Sequence, residues 1–379
     1  MSTIKAINIQ HPSSANTNIV MDSSGNMTVA GTVSGGTPMS GMRNRIINGN
    51  FEFWQRGTSV TLVPNTLRWL ADRWTAAGYQ QGRHQRVSIS SPPSGLSSRY
   101  ALRVGSSTTA EAAGGTRMAS RQKIESVNCY DLAGKNVTLS FWIKFSSATF
   151  SSVSNTGQSA YGDFYYTLMY NTTTTDSDAG QDVAGDSSSF LGITNGSFPT
   201  TWTRYTLTAT VPAGCNNISI NFQFGYLGST SSADTNFYDI AQVQLEEGSI
   251  ATPFERRLYG TELSLCQRYF CKTFPMTTAP AQNAGTSGAV LQQSSGSNNA
   301  FGTQFQWRFP VPMRVTPNIT TYNPSAAANT FRNLALNTNL AIGSSIISIN
   351  ELSWQAVCQD SASSAGQQIA IHVSAEAEL

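Results

Sequence analysis

A chain of 379 residues is too long for one ordinary core and fits two or three domains. Its net charge of +2, with only 12% of side chains charged, gives no field that would make nucleic acid or a membrane surface the main partner. Five scattered cysteines, three isolated histidines and the lack of a nucleotide loop, nucleophile elbow or zinc-protease motif leave imidazole, thiolate and metal catalysis little to work with.

Residues 1–41 open on STIKAINIQ, which has neither a charged start nor an apolar run, so an ordinary signal peptide is not expected. IKAINIQ and NIVMDSSGNMTVAGTVSGG read as short strands around an Asp-Ser-Ser-Gly-Asn turn, followed by a glycine-rich hinge. A piece this small cannot bury a sufficient core. It is expected to pair with copies of itself or to dock on another protein.

Residues 42–250 carry the period-two alternation of half-buried strands. In VTLSFWIKF, Val137, Leu139, Phe141, Ile143 and Phe145 share one face and leave Ser140, Trp142 and Lys144 on the other. GDFYYTLMY repeats the pattern with Phe164, Tyr166, Leu168 and Tyr170, WTRYTLTATV with Tyr205, Leu207, Ala209 and Val211, and ISINFQFG with Ile218, Ile220, Phe222 and Phe224. The polar stretch 171–189 reads as a long exposed loop. Strands separated by such loops, with almost no helical periodicity, place the chain in the all-β class with a central antiparallel sandwich.

Residues 251–275 form a charged joint and a short helix. QLEEGSIATPFERR puts five charges into fourteen residues, unlike the chain around it. Thr252-Pro253 stops regular pairing, and Glu255, Arg256 and Arg257 are expected to stiffen the joint by local ion pairs. In YGTELSLCQRYFCK, Leu263, Cys266 and Phe270 recur at helical spacing, with Thr261 as the expected N-cap. Residues 276–379 hold seven charged side chains, and FQWRFPVPMRVTPNITTY, SIISINELSWQAV and QIAIHVSAEAEL read as the strands of a second β-domain.

Few residues stand out as sites. Alternation turns Asp239 to the same face as Phe237, Ala241 and Val243, where a carboxylate needs a compensating partner. If the first and last strands of the sandwich adjoin, Glu52 comes near it, and a calcium ion with backbone carbonyls would satisfy both. An arginine such as Arg43 or Arg45, or plain solvation, is the alternative. Trp142 and Trp202 fall on outward registers and, with Tyr165, make a candidate glycan groove, because the C–H faces of sugars stack on aromatic rings. Cover by a neighbouring subunit or domain is the other reading of such rings. Nine arginines from Arg43 to Arg103, against Glu52 and Asp72 alone, suit an acidic polysaccharide, a solvated face or a subunit contact. In the last domain Trp307, Arg308, Tyr322, Phe331 and Trp354 are candidate receptor contacts.

NGNFEFWQRG, ADRW, QVQLEEGSIATPFERRLYGTELSLCQRYF and the terminal HVSAEAEL resemble the structural tail and tail-fibre proteins of tailed bacteriophages, and NIQHPSSANTNIVMDSSGNMTVAGTVSG is similar to the attachment region of such fibres. The likeness extends over nearly the whole chain. It implies a non-enzymatic virion protein of the tail, a homotrimer whose N-terminal segment anchors on a tail or baseplate protein. It further implies a carbohydrate-binding-module-like jelly roll with a structural calcium at Glu52 and Asp239, and a distal β-domain that meets a host-surface glycan or receptor. The rivals are a capsid decoration or head-fibre protein, and a polysaccharide depolymerase using two carboxylates from among Glu52, Asp72, Asp163 and Asp239.

Overall fold

The computed structural model describes residues 8–10, 19–21, 27–29, 42–61, 66–78, 82–106, 118–150, 164–171, 187–194, 196–224, 235–294, 296, 302–359 and 364–378. The chain is mostly β, with several antiparallel sheets forming β-sandwiches and one short α-helix among the described residues. Most of the loop expected at 171–189, and Asp163, lie outside the described residues. So does most of the N-terminal segment, where Asn8–Ile9, Ile19–Met21 and Met27–Val29 form a three-stranded antiparallel sheet.

Two six-stranded sheets make the larger sandwich. One runs, in spatial order, Thr203–Thr210, Asn136–Phe145, Phe237–Glu247, Tyr100–Ser106, Gly82–Ser88 and Ser59–Thr61. The other runs Ser187–Ile193, Phe164–Asn171, Asn217–Phe224, Met118–Ile124, Thr75–Gly78 and Thr66–Trp69. Alternation decides which faces meet. Val137, Leu139, Phe141, Ile143 and Phe145 from the first sheet pack on Phe164, Tyr166, Leu168, Ile218, Ile220, Phe222 and Phe224 from the second. Each such side chain contributes roughly 1.5–3 kcal/mol on burial. Phe145 is a hub of ring contacts, 4.5 Å from Phe198 and 5.5 Å from Phe164 between centroids.

The strand Phe237–Glu247 changes neighbour halfway along one edge. Phe237–Ile240 pair with Leu102–Gly105, whereas Val243 donates to the Gly49 carbonyl and Leu245 accepts from the Arg45 amide, both at 2.8 Å. A register shift opposite Ser140 and Trp142 falls where Gln242 adopts φ +50°, as in a β-bulge. Asn44 closes the switch, its Oδ1 accepting from the amides of Ile46 and Leu245 and its Nδ2 donating to the Val243 carbonyl. The close approach requires a glycine at 49. A Cβ there would lie 2.1 Å from the Val243 carbonyl oxygen. Gly49→Ala is therefore expected to cost about 2 kcal/mol through overpacking, read as a lower denaturant midpoint at unchanged m-value.

The smaller β-unit is built on Gln368–Glu376. This strand pairs with Phe270–Lys272, Val290–Gln293, Asn318–Tyr322 and Phe331–Asn333, the last also pairing with Thr338–Leu340. A three-stranded sheet of Thr303–Arg308, Ser353–Cys358 and Ile342–Ile349 completes it. Their apolar faces share a core with Phe305, Phe331, Trp354, Ile369, Ile371 and Val373. The helix spans Tyr259–Gln267, and its N-cap is Leu258 rather than the expected Thr261, which lies inside the first turn. Leu258 offers no side-chain acceptor; Glu262 in that turn bonds instead to the opening of the sandwich. All five cysteines are buried thiols.

Candidate functional site

The segments that set this chain apart as a sequence converge in space. Asn48 and Phe51 both take left-handed backbone conformations, φ +56° and +54°, strained for non-glycine residues and maintained by surrounding bonds. Asn48 supplies many of them: its side chain donates to the carbonyls of Phe53 (2.8 Å) and Asp72 (3.1 Å) and accepts from the Phe53 amide (3.0 Å). Its own amide donates to Glu262 of the helix. The Trp74 indole donates to the Asn48 carbonyl, and that of Trp54 to the Phe51 carbonyl. This knot presents Gln55, Arg56, Asp72 and Arg73 toward the smaller β-unit.

There they form a buried polar seam. Arg73, 1% exposed, binds Glu378, donates to the Lys123 carbonyl at 2.7 Å and stacks its guanidinium 3.5 Å over the Tyr269 ring. Arg56 pairs with Glu378 at 3.1 Å and lies 3.7 Å over Phe270. Asp72 accepts from the Gln55 amide and side chain at 3.0 and 2.7 Å, and Gln55 reaches on to the Phe270 carbonyl at 2.9 Å. Lys272 donates back to the Gln55 carbonyl at 2.7 Å and to the Thr278 carbonyl at 2.6 Å. Beside them Glu125 accepts from Arg268 at 2.8 Å and from the Tyr269 hydroxyl at 2.8 Å.

Burial governs the protonation of this seam. It pushes Asp72 up to about 6 against the opposing pull of Arg56 and the Gln55 bonds, and pushes Lys272 down to about 8 against the pull of Asp72. Tyr269 is pushed up to about 12, and the Cys266 thiol well above its ordinary value, again by burial first. Charges here are held in place by fixed partners, an arrangement suited to joining two bodies.

The joint works through the sandwich opening as well as through pairs within its own sequence, Arg257 pairing with Glu262 at 3.1 Å and, more loosely, with Glu255 at 4.0 Å. Glu255 accepts from the amides of Arg43 (3.2 Å) and Asn44 (2.6 Å), and Arg257 donates to the Ile46 carbonyl and to Glu262. Glu246 takes the Thr252 hydroxyl at 2.6 Å, which bends the chain out of its strand before Pro253. Arg256 is exposed.

The residues singled out as metal, glycan and receptor contacts are placed differently. Asp239 is 1% exposed and is gripped by Arg103 through Nε (2.7 Å) and a terminal nitrogen (2.9 Å), with Lys144 at 3.5 Å. The cation across from it is thus Arg103, not Arg43 or Arg45, which bond Glu246 and Asp131. Among the described residues no bond joins Asp239 to Glu52, and no cluster of three or more metal-ligating side chains occurs. A calcium ion at Asp239 would face a guanidinium and an ammonium already bound, so these residues do not fit the metal. Asp239 and Arg103 stand opposite in register across adjacent strands, with Lys144 next in the row. That pairing is long-range, and only a bound on which strands adjoin could have revealed it.

Trp142 and Trp202 do lie together on the outer face of the first sheet, packed with Val87, Ile89, Leu96, Ala101 and Ala241. The segment 89–99 folds over Trp142, so that a side chain at Gly95 would meet the indole at 3.3 Å, and Gln242 ties the segment down through the Ser97 hydroxyl at 2.8 Å. Trp202 is half-buried and carries the Lys144 ammonium 5.3 Å from its ring centroid. Tyr165 belongs to the other sheet, opposite Gly192 and Gln223, and so does not join the two tryptophans in one groove. In the smaller unit Phe331 (0% exposed) and Trp354 (1%) are core residues instead of receptor contacts, because both face inward onto Phe305 and its neighbours. Trp307 packs half-buried against Phe309, Tyr322 bonds Ser374 at 3.1 Å, and Arg308 alone of the five is exposed.

No protein-family model matches the sequence, and no curated protein matches it. Among solved structures the chain is similar to the enzymatically active domain of tailspike protein 4 of bacteriophage CBA120, at 15% identity and a TM-score of 0.29 over 54% of this chain and 22% of that one. It is also similar to TmCBM61 in complex with β-1,4-galactotriose, at 13% identity and a TM-score of 0.29 over 54% of this chain and 99% of that one. A third is the CBM22-1 xylan-binding domain of Xyn10C from Paenibacillus barcinonensis, at 10% identity and a TM-score of 0.25 over 54% and 94%. The likeness is structural and distant. It assigns no family, and the chain spans less than a quarter of the tailspike domain.

Proposed function

We propose that this chain is a non-enzymatic structural protein of a phage tail fibre that attaches to glycan on a host surface. The observation that supports this most is the seam. The segments carrying the sequence resemblance to tail proteins meet in it, Gln55 bonding Asp72 and the Phe270 carbonyl while Arg56 and Arg73 bind Glu378. A stiff coupling of this kind keeps weak binding faces aligned, so that several copies engage a surface together. In this reading the chain is a homotrimer anchored to a tail or baseplate protein by its N-terminal segment. The half-buried Trp202 with Lys144 over it offers a stacking surface and a charge to a sugar ring.

Retention of the purified full-length chain on immobilised bacterial surface polysaccharide, with the length of the polysaccharide followed in parallel, tests the reading. Retention with unchanged polysaccharide length is expected, and Trp202→Ala is expected to weaken it about tenfold. Shortened polysaccharide would replace attachment by depolymerisation, and absence of retention on every surface glycan would remove the attachment role.

A further inference from the structure

Where the sandwich opening, the second sheet and the helix meet, they border a part-open cavity of about 430 Å³. Its size is that of a small-molecule site. Arg43, Arg45, Arg73, Lys123 and Arg257 line it, against the two carboxylates Glu125 and Glu247. The carboxylate partners of the arginines, Glu246, Asp131, Glu378 and Glu262, are not among the lining residues.

Each of the four guanidinium groups is fixed in place by a carboxylate, with donors left over for other acceptors. Each of the four spends a donor on an uncharged carbonyl: Arg43 on Pro253 (2.7 Å), Arg45 on Asn128 (2.9 Å), Arg73 on Lys123 (2.7 Å) and Arg257 on Ile46 (3.0 Å). The Nε–H groups of Arg45, Arg73 and Arg257 have no acceptor among the described residues. Those atoms are covered and do not touch a ligand. Arg43 and Arg45, with side chains 16% and 24% exposed, bring charge within reach. Ile47, Ile124, Leu265 and Tyr269 supply apolar surface on the same wall.

We propose that this cavity binds a sugar-sized ligand bearing a carboxylate or a phosphate. Fixed guanidinium groups bind both oxyanions by the same charge-assisted bonds, and the apolar residues face the sugar ring. The proposal rests on the attachment reading for the ligand's source, an acidic unit of a surface glycan. Occupancy would also bridge the sandwich to the helix, since Arg45 and Lys123 come from one and Leu265 from the other.

Calorimetric titration of the full-length protein with glucuronate, glucose 6-phosphate, glucose and inorganic phosphate tests it. Glucuronate or glucose 6-phosphate is expected to bind, more weakly as salt rises, while glucose gives no heat. Which of the two binds tells carboxylate from phosphate. Arg45→Gln, at a part-exposed position, is expected to weaken that binding at least about fivefold, the loss of one charge-assisted contact. Met42→Trp, which narrows the rim while leaving every charge in place, is expected to do the same at an unchanged melting temperature. Equal binding of glucose, equal binding of inorganic phosphate, wild-type affinity in both variants, or no heat from either acidic sugar would each overturn the proposal. If polysaccharide retention persists when the acidic sugars fail, only the cavity assignment falls; if retention is absent as well, the attachment reading falls with it.

Discussion

Glu378→Gln is expected to destabilise the protein by about 3–5 kcal/mol and to split its unfolding into two transitions. The carboxylate is buried between Arg56 and Arg73, which come from the far side of the seam. Without it Arg73 keeps only the Lys123 carbonyl and the Tyr269 ring, and a guanidinium 1% exposed is left without a counter-ion. The cost lies in the orphaned charge more than in the lost bond. Calorimetric unfolding reads it: the smaller β-unit should melt ahead of the larger sandwich, where the wild type gives one transition. Glu376→Gln is the control, because its pair with Arg56 is 4.0 Å long with Glu376 42% exposed, a geometry that contributes little. The double substitution Arg73→Met with Glu378→Met removes both charges and is expected to recover much of the loss. A single transition at wild-type temperature in Glu378→Gln would show that the two units are held together elsewhere.

Stability should be nearly flat from pH 6 to pH 4 because two buried groups titrate with opposite sign. His84 faces the interior, 1% exposed, with no partner for Nε2 among the described residues, and burial pushes it down to about 3. The unfolded chain takes up its proton below about 6.5, so the contribution of neutral His84 is lost as pH falls from there toward 3, about 5 kcal/mol in all. His372, also lowered by burial, adds to the same side. Asp72 runs the other way: its folded value of about 6 lies above the ordinary 3.8, so its contribution is present at low pH and is lost as pH rises through 6, about 3 kcal/mol. His84→Gln should therefore uncover a gain in stability as pH drops from 6 to 4, and Asp72→Asn a loss over the same interval. Denaturant midpoints at half-unit pH steps would reveal both. Parallel profiles for the wild type and the two variants would contradict the assignment.

The strands were legible because alternation is a local signal. Val137 to Phe145 needs no knowledge of the rest of the chain to declare its inner face, and every one of its five apolar residues is in the core. What the residues on the outer face do depends on which strand lies alongside, and that is set by pairing over long distances. Asp239 meets Arg103 from 136 residues earlier, and Tyr165 and Trp142, alike in register, end on different sheets. Phe331 sits in a strand of three residues, too short to show a period, so its burial could not be read. The seam left a different trace. In a chain 12% charged, the run of arginines that holds Arg56 and Arg73, with Asp72 among them, was visible, but its meeting with Lys272 and Glu378 was not.

The strand that changes neighbour at Gln242 has a mechanical consequence. Its Val243–Leu245 half is bonded to the 45–49 segment on one side and to Asn136–Phe145 on the other, and it leads straight into the joint. A pull delivered at residue 250 runs along the strand axis and loads these ladder bonds in shear, all at once, instead of peeling them one by one. Tension applied through the joint therefore meets the sandwich in its most resistant direction.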